Sequence, residues 1–113
     1  MKNRKLLPAL PSLPWVRANL RYNPGFSVRA KVLRAFVIGS VAKSTAQPRS
    51  DLDIAVVIPP KRRVSALNIT EKYHFRMGLT GSPYPIFNGK RVDFQFFFPD
   101  DANLATYPAI ELT

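Results

Sequence analysis

The stretch from residue 35 to residue 59, AFVIGSVAKSTAQPRSDLDIAVVIP, decides the fold of this chain. An apolar run ends at Gly39 and Ser40, ten residues follow, and Asp51 and Asp53 then open a second apolar run. Apolar runs of this length, bounded by small and polar residues, are typical of strands. The stretch therefore predicts a strand, a turn large enough to hold a phosphate group, and a second strand.

The acidic residues of the second predicted strand lie on one face. Successive side chains of a strand alternate between its faces, so Asp51 and Asp53 point the same way. Neighbouring carboxylates repel each other unless a cation lies between them, and a hard divalent ion suits oxygen ligands. The later segment RVDFQF, residues 91–96, alternates in the same manner and carries Asp93 on its polar face. Pairing these two strands would bring three carboxylates together.

This pattern resembles the nucleotidyltransferase superfamily typified by DNA polymerase beta, and in particular its minimal nucleotidyltransferase (MNT) members. Their signature is an apolar strand, Gly-Ser, a turn, Asp-x-Asp, and a later Asp with apolar neighbours. The corresponding residues here are Gly39, Ser40, Asp51, Asp53 and Asp93. The resemblance covers residues 35–98. Where MNT members often carry Arg-Ala-Arg-Gly after the Gly-Ser, this chain has Val41, Ala42, Lys43 and Ser44.

The resemblance implies transfer of a nucleoside monophosphate from a nucleoside triphosphate, with ATP expected, to an acceptor hydroxyl. It implies a pair of Mg²⁺ or Mn²⁺ ions as charge clamps on the attacking and leaving oxygens. It assigns catalysis and metal binding to Asp51, Asp53 and Asp93. The residues that it assigns to the phosphates are Gly39, Ser40, Lys43 and Ser50.

The acceptor stays open in the sequence. One hypothesis is an MNT-type toxin–antitoxin component that modifies a protein or an RNA such as tRNA, with or without a helical partner protein. The other hypothesis keeps the fold and loses the chemistry, which leaves a nucleic-acid-binding or protein-interaction module. The departure at Ser44 favours the second hypothesis, whereas the three intact carboxylates favour the first because unused clustered acids destabilise a fold.

Composition indicates a polyanionic partner. The 113 residues fit one domain, and the absence of cysteine excludes disulfides and thiolate metal sites. Seventeen Lys and Arg residues against seven Asp and Glu give a net charge of +10, which attracts nucleic acid. The candidate nucleic-acid contacts are Arg29, Lys31, Arg34, Lys61, Arg62 and Arg63. Solvated surfaces without a specific partner are the alternative for these residues.

The first 26 residues form a predicted proline-rich basic arm with a short helix, and residues 27–113 form the predicted catalytic domain. The leucine-rich start resembles a secretory signal, but Pro8, Pro11 and Pro14 interrupt it and no cleavage site follows. No stretch approaches the ~20 apolar residues of a membrane helix. We expect a cytoplasmic protein without a membrane partner.

The remaining segments complete a small α/β fold. Helices are predicted over 12–22 and 61–78, the latter with Leu67 and Phe75 on one mixed face. Asn88 and Gly89 predict a tight hairpin. His74, the only histidine, is expected to be a packing or surface group, since a metal site needs more ligands. The expected architecture is a mixed sheet of about four strands flanked by short helices.

Overall fold

The structure, a computed structural model, describes residues 9–20, 32–46, 50–60, 63–80 and 84–113. The regular elements in these ranges are α1 (Leu13–Leu20), β1 (Arg34–Ile38), α2 (Gly39–Ala42), β2 (Leu52–Val57), α3 (Ala66–Thr80), β3 (Ile86–Phe87), β4 (Lys90–Phe97), a 3-10 turn (Leu104–Thr106) and β5 (Ile110–Glu111). The boundary expected between residues 26 and 27 lies outside the described residues.

One mixed sheet organises these elements in the order β3-β4-β2-β1-β5. Strands β2 and β4 are parallel, and the other neighbouring strands are antiparallel. The expected α/β fold with a mixed sheet is confirmed. The sheet has five strands in the described part of the chain, because the short β5 adds to the edge of β1.

The alternation predicted for β4 is present. Val92, Phe94 and Phe96 are buried, whereas Asp93 and Gln95 between them are only half-buried. The apolar face of the sheet packs against α1 and α3 and forms the main core. The carboxylates therefore lie on the opposite face, where a smaller cluster of Ile38, Ala55 and Phe97 covers part of the sheet.

The β3–β4 hairpin turns at the predicted Asn-Gly pair. Asn88 and Gly89 have φ angles of 49° and 77°, as a type I′ turn requires. Glycine adopts such angles freely, and asparagine tolerates them better than most residues. The turn fixes where β4 begins and hence which of its side chains face the core.

Helix α1 begins directly after Ser12, whose side chain caps it. The amide of Trp15 donates to the Ser12 hydroxyl at 3.1 Å, and Val16 is completely buried against the sheet. The ring of Trp15 packs edge-on against Phe87, with 5.3 Å between the ring centroids. The predicted end of this helix, near residue 22, lies outside the described residues.

Helix α3 begins later than the sequence predicted. Arg63 has a positive φ of 64°, which is incompatible with a helix, and Ser65 caps the helix by accepting a hydrogen bond from the Asn68 amide at 3.0 Å. The face that packs on the sheet is not the mixed face that carries Leu67 and Phe75. Ile69 and Tyr73 face the core with Ala66, while the side chains of Leu67 and Phe75 are exposed.

Helix α3 also protects an edge of the sheet. The Phe96 amide in β4 donates to the Thr70 hydroxyl at 2.9 Å, and this hydroxyl donates to the Ala66 carbonyl at 3.0 Å. A side chain thus takes the place of a strand on this stretch of β4.

In the described ranges, no helix has both the length and the apolar character that crossing a bilayer demands.

Candidate active site

The centre of the candidate site is a pair of acids on parallel strands. Asp53 in β2 and Asp93 in β4 are register partners, and such strands lie about 4.8 Å apart. The pKa of Asp53 is raised above its usual value, first by burial and then by the charges of Asp93 and Asp51. The three acids therefore interact electrostatically on one face of the sheet.

One buried oxygen of Asp93 has no hydrogen bond within the described part of the chain. Its Oδ1 atom has no correctly oriented donor among the described residues, although Nε2 of His74 is 3.2 Å away. The distance suits a hydrogen bond, but the angle does not. Burial raises the pKa of Asp93, the nearby His74 and Arg91 oppose this rise, and Asp51 adds to it.

Asp51 lies immediately before β2, and its side chain is more exposed than that of Asp93, 40% against 22%. Its Oδ2 atom is 3.4 Å from a guanidinium nitrogen of Arg91. The same guanidinium lies over the ring of Tyr84, 4.2 Å from the ring centroid. Asp51 therefore faces a cation of the protein itself.

The described residues contain no group of three or more His, Asp or Glu side chains close enough to hold a metal ion as they stand. The geometry gives the reason, because Asp51 faces Arg91 and Asp93 faces His74. The donor set nevertheless suits a hard divalent cation, since all three predicted ligands are carboxylates that repel each other.

Gly39 connects the predicted phosphate turn to the acids. Its φ is +73°, and a Cβ added there would lie 2.5 Å from Oδ2 of Asp53. No side chain fits in this gap without displacing the carboxylate. Helix α2 starts at Gly39, and its first internal hydrogen bond runs from the Lys43 amide to the Gly39 carbonyl at 3.1 Å. The turn and the Asp53 carboxylate are thus in direct contact.

The other residues predicted to bind phosphate surround this turn. Ser40 lies in α2 and is half-buried, and Lys43 follows the helix with an exposed side chain. Ser50 is half-buried before β2, where its carbonyl accepts a hydrogen bond from Lys90 at 3.0 Å. Ser44 has a φ of 59°, so it adopts the left-handed conformation for which glycine is the usual residue.

The predicted nucleic-acid contacts are only partly described. Arg34 in β1 forms a bidentate ion pair with Glu111, with N–O distances of 2.7 and 2.9 Å. This ion pair lowers the pKa of the Glu111 carboxyl. Arg63 is exposed ahead of α3. The remaining candidates lie outside the described residues: Arg29, Lys31, Lys61 and Arg62.

Sequence reasoning missed three residues beside the acids: His74, Tyr84 and Arg91. Arg91 could have been found, because it lies two residues before Asp93 and so shares its face of β4. No sequence signal places His74 there. Its position depends on how α3 lies along β4, which a lone histidine does not reveal.

Comparison with known families identifies the class. The model of the family described as "Polymerase beta, Nucleotidyltransferase" matches residues 23–98, more than half of the chain. The chain therefore belongs to the polymerase beta nucleotidyltransferase family, and its general activity class is nucleotidyl transfer. No curated protein and no solved structure gave a match. Members of this family generally use a nucleoside triphosphate and a divalent metal ion.

Proposed function

We propose that this protein transfers a nucleoside monophosphate from a nucleoside triphosphate to an acceptor hydroxyl, with divalent cations held by Asp51, Asp53 and Asp93. The observation that carries the proposal is the register pairing of Asp53 with Asp93 on parallel strands. Burial raises the pKa of both carboxyls, and repulsion adds to the rise, from Asp93 and Asp51 at Asp53 and from Asp51 at Asp93, so a cation at their common face would stabilise the ionised site.

Each part of the site has a separate role in this proposal. Bound cations would neutralise the triphosphate and make the acceptor hydroxyl easier to deprotonate. Gly39 leaves space for Asp53 and lets the phosphates approach the backbone, while Ser40 and Lys43 offer a hydroxyl and a positive charge. Oδ2 of Asp93 is the atom that we assign to receive the proton of the acceptor hydroxyl.

A titration of the ¹⁵N-labelled protein with Mn²⁺, with and without each nucleoside triphosphate, tests the site. We expect line broadening centred on Gly39, Asp53 and Asp93, with the triphosphate strengthening it. Asp53→Asn should abolish this localised effect, whereas Asp100→Asn, in the exposed turn after β4, should leave it unchanged. Absence of localised broadening in the unmodified protein, or its persistence in Asp53→Asn, would overturn the proposal.

We infer further that the acceptor is an RNA. The observation that favours RNA is the net charge of +10, which supports binding to a polyanion. Incubation with labelled ATP and Mg²⁺, and with either RNA or the proteins of a cell extract as acceptor, would separate the two classes. Label on protein alone would replace RNA with a protein acceptor.

A nucleic-acid-binding module without catalysis is the second candidate function. Its support is that Asp51 faces Arg91, that Asp93 faces His74, and that Ser44 replaces the usual glycine. RNA binding that survives in an Asp51→Asn/Asp53→Asn variant, together with no transfer of label by the unmodified protein, would favour this function.

A further inference from the structure

We propose that His74 is a positioning residue that orients the carboxylate of Asp93, an inference that rests on the proposed function. Its Nε2 atom is 3.2 Å from Oδ1 of Asp93, the buried oxygen that has no hydrogen bond in the described part of the chain. A small rotation of either side chain aligns donor and acceptor. Such a bond would satisfy Oδ1 and leave Oδ2 for ligand and proton.

The position of His74 is itself fixed by its neighbour in α3. Tyr73 is buried and packs its ring edge-on against Phe94 and Phe96, with centroid distances of 6.2 and 5.6 Å. This packing anchors α3 to β4. His74, the next residue, consequently reaches Asp93 at the edge of the strand, with only a third of its side chain exposed.

The second ring nitrogen of His74 has a partner of its own. Nδ1 lies 3.4 Å from the hydroxyl of Tyr84, and a neutral imidazole carries one donor and one acceptor nitrogen. If the Tyr84 hydroxyl donates to Nδ1, the proton of the ring lies on Nε2, which faces Asp93. Tyr84 thereby selects the tautomer that can donate to the carboxylate.

The contacts continue to the first acid of the site. The ring of Tyr84 lies under the Arg91 guanidinium, which is 3.4 Å from Asp51. One series of contacts thus connects Asp93 to Asp51 through His74, Tyr84 and Arg91. These contacts would hold the carboxylates of both Asp51 and Asp93 in position from the side away from a bound ligand.

The first test needs no ligand. Long-range ¹H–¹⁵N spectra of the metal-free protein, recorded where histidine is neutral, report which ring nitrogen carries the proton. We expect His74 to be protonated on Nε2, and we expect Tyr84→Phe to reduce that preference. A ring protonated on Nδ1 would overturn the inference, because Nε2 could not then donate to Asp93.

The second test measures the affinity for Mn²⁺ in the presence of triphosphate. Outer-shell partners of metal ligands typically change affinity about 10-fold or more when removed, and we expect this loss in His74→Ala. His74→Gln should retain most of the affinity, because its amide nitrogen can take the place of Nε2. Phe75→Ala, an uncharged change at the adjacent exposed residue, is the matched control and should leave the affinity unchanged.

The two tests separate this inference from the proposed function. If the unmodified protein binds no Mn²⁺ at the acids, the proposed function fails, while the tautomer measurement still decides whether His74 can donate to Asp93. If the unmodified protein binds Mn²⁺ and His74→Ala matches Phe75→Ala, the positioning role is wrong. Loss of folding in His74→Ala would leave His74→Gln and Tyr84→Phe to decide.

Discussion

Gly39 lacks a side chain for two independent reasons, and they can be measured separately. Its φ of +73° strains any residue with a Cβ, and that Cβ would lie 2.5 Å from Oδ2 of Asp53. We expect Gly39→Ala to lower the free energy of unfolding by about 2 kcal/mol or more and to weaken Mn²⁺ binding by displacing Asp53. Urea denaturation and the Mn²⁺ titration are the measurements.

Gly89 provides the control for this substitution. Its φ of +77° is almost the same, but nothing lies within 4 Å of an added Cβ. Gly89→Ala should therefore cost only the backbone strain, about 1 kcal/mol, and should not affect Mn²⁺ binding. Equal losses of stability in the two variants would contradict the steric role assigned to Gly39.

Asp53 makes the stability of the metal-free protein depend on pH. Because its pKa is raised in the folded state, the unfolded chain loses this proton first. The contribution of Asp53 to stability is therefore fully present below the usual carboxyl pKa of about 4 and is lost as pH rises through the raised value. We expect Asp53→Asn to be more stable than the unmodified protein at neutral pH. Urea denaturation in chelator at several pH values measures this difference.

The difference should shrink as the pH falls toward about 4, because Asp53 is then protonated and resembles the amide. Asp100→Asn controls for the loss of a charge at an exposed position. If Asp53→Asn is less stable than the unmodified protein at neutral pH, the carboxylate has a stabilising partner that this account lacks.

At the residue level, the sequence predicted which acids share a face of the sheet better than it predicted the side chains beside them. Alternation in β2 and β4 was enough to put Asp51, Asp53 and Asp93 on one face. The side chains beside them depend on tertiary packing. His74 reaches Asp93 only because α3 lies along β4, and no local pattern encodes that placement.

Among the elements, α3 gives a direct test of how the sheet edge is protected. The Thr70 hydroxyl accepts a hydrogen bond from the Phe96 amide at 2.9 Å. We expect Thr70→Val, which keeps the shape and removes the hydroxyl, to cost about 1 kcal/mol of unfolding free energy. Amide hydrogen exchange at Phe96 should also become faster.

Thr70→Ser is the matched variant, because it keeps the hydroxyl and removes a methyl group. It should preserve slow exchange at Phe96 even if it loses some stability. Fast exchange in Thr70→Ser, equal to that in Thr70→Val, would mean that the hydroxyl does not protect this edge.

The elements that the sequence predicted best have strong local signals. Asn88 and Gly89 fixed the hairpin because few other pairs adopt two positive φ angles. The start of α3 was predicted too early. The basic residues before it contain no helix breaker, although Ser65 is a good N-cap residue. The sequence did not single out the buried face of α3, because apolar residues lie on both sides of the helix. Strand β5 is too short for a periodic pattern.

For the molecule as a whole, net charge should dominate any binding to RNA. With +10 on 113 residues, affinity for single-stranded RNA should fall steeply as salt rises, because binding releases counterions. The Asp51→Asn/Asp53→Asn variant loses two negative charges and should bind at least as tightly. Fluorescence anisotropy over a range of salt concentrations is the measurement.

A variant that neutralises Arg34 and Arg63, the described members of the candidate set, should bind RNA with a smaller salt dependence. Its counterpart is neutralisation of Lys72, an exposed residue of α3 outside that set. Equal effects per charge removed would show that RNA binding depends on total charge and not on these positions. RNA binding that is insensitive to salt would contradict the electrostatic account.

The fold class followed from the sequence, whereas the strand order did not. Two strands with a helix between them favour a parallel pair, as β2 and β4 are. The positions of β1 and β5 on the far side of β2 arise from pairing between distant segments. Such pairing depends on the whole sheet and leaves little trace in either segment alone.

The pairing of β2 with β4 also determines where the chain can accept insertions. Interstrand hydrogen bonds fix the spacing of Asp53 and Asp93, so the length of chain between them is free. An inserted module in the connection from β2 to α3 would leave the acids in place, as surface connections generally tolerate additions. One residue inserted within β4 would instead turn Asp93 toward the core. New parts can therefore be acquired through that connection without moving the paired acids.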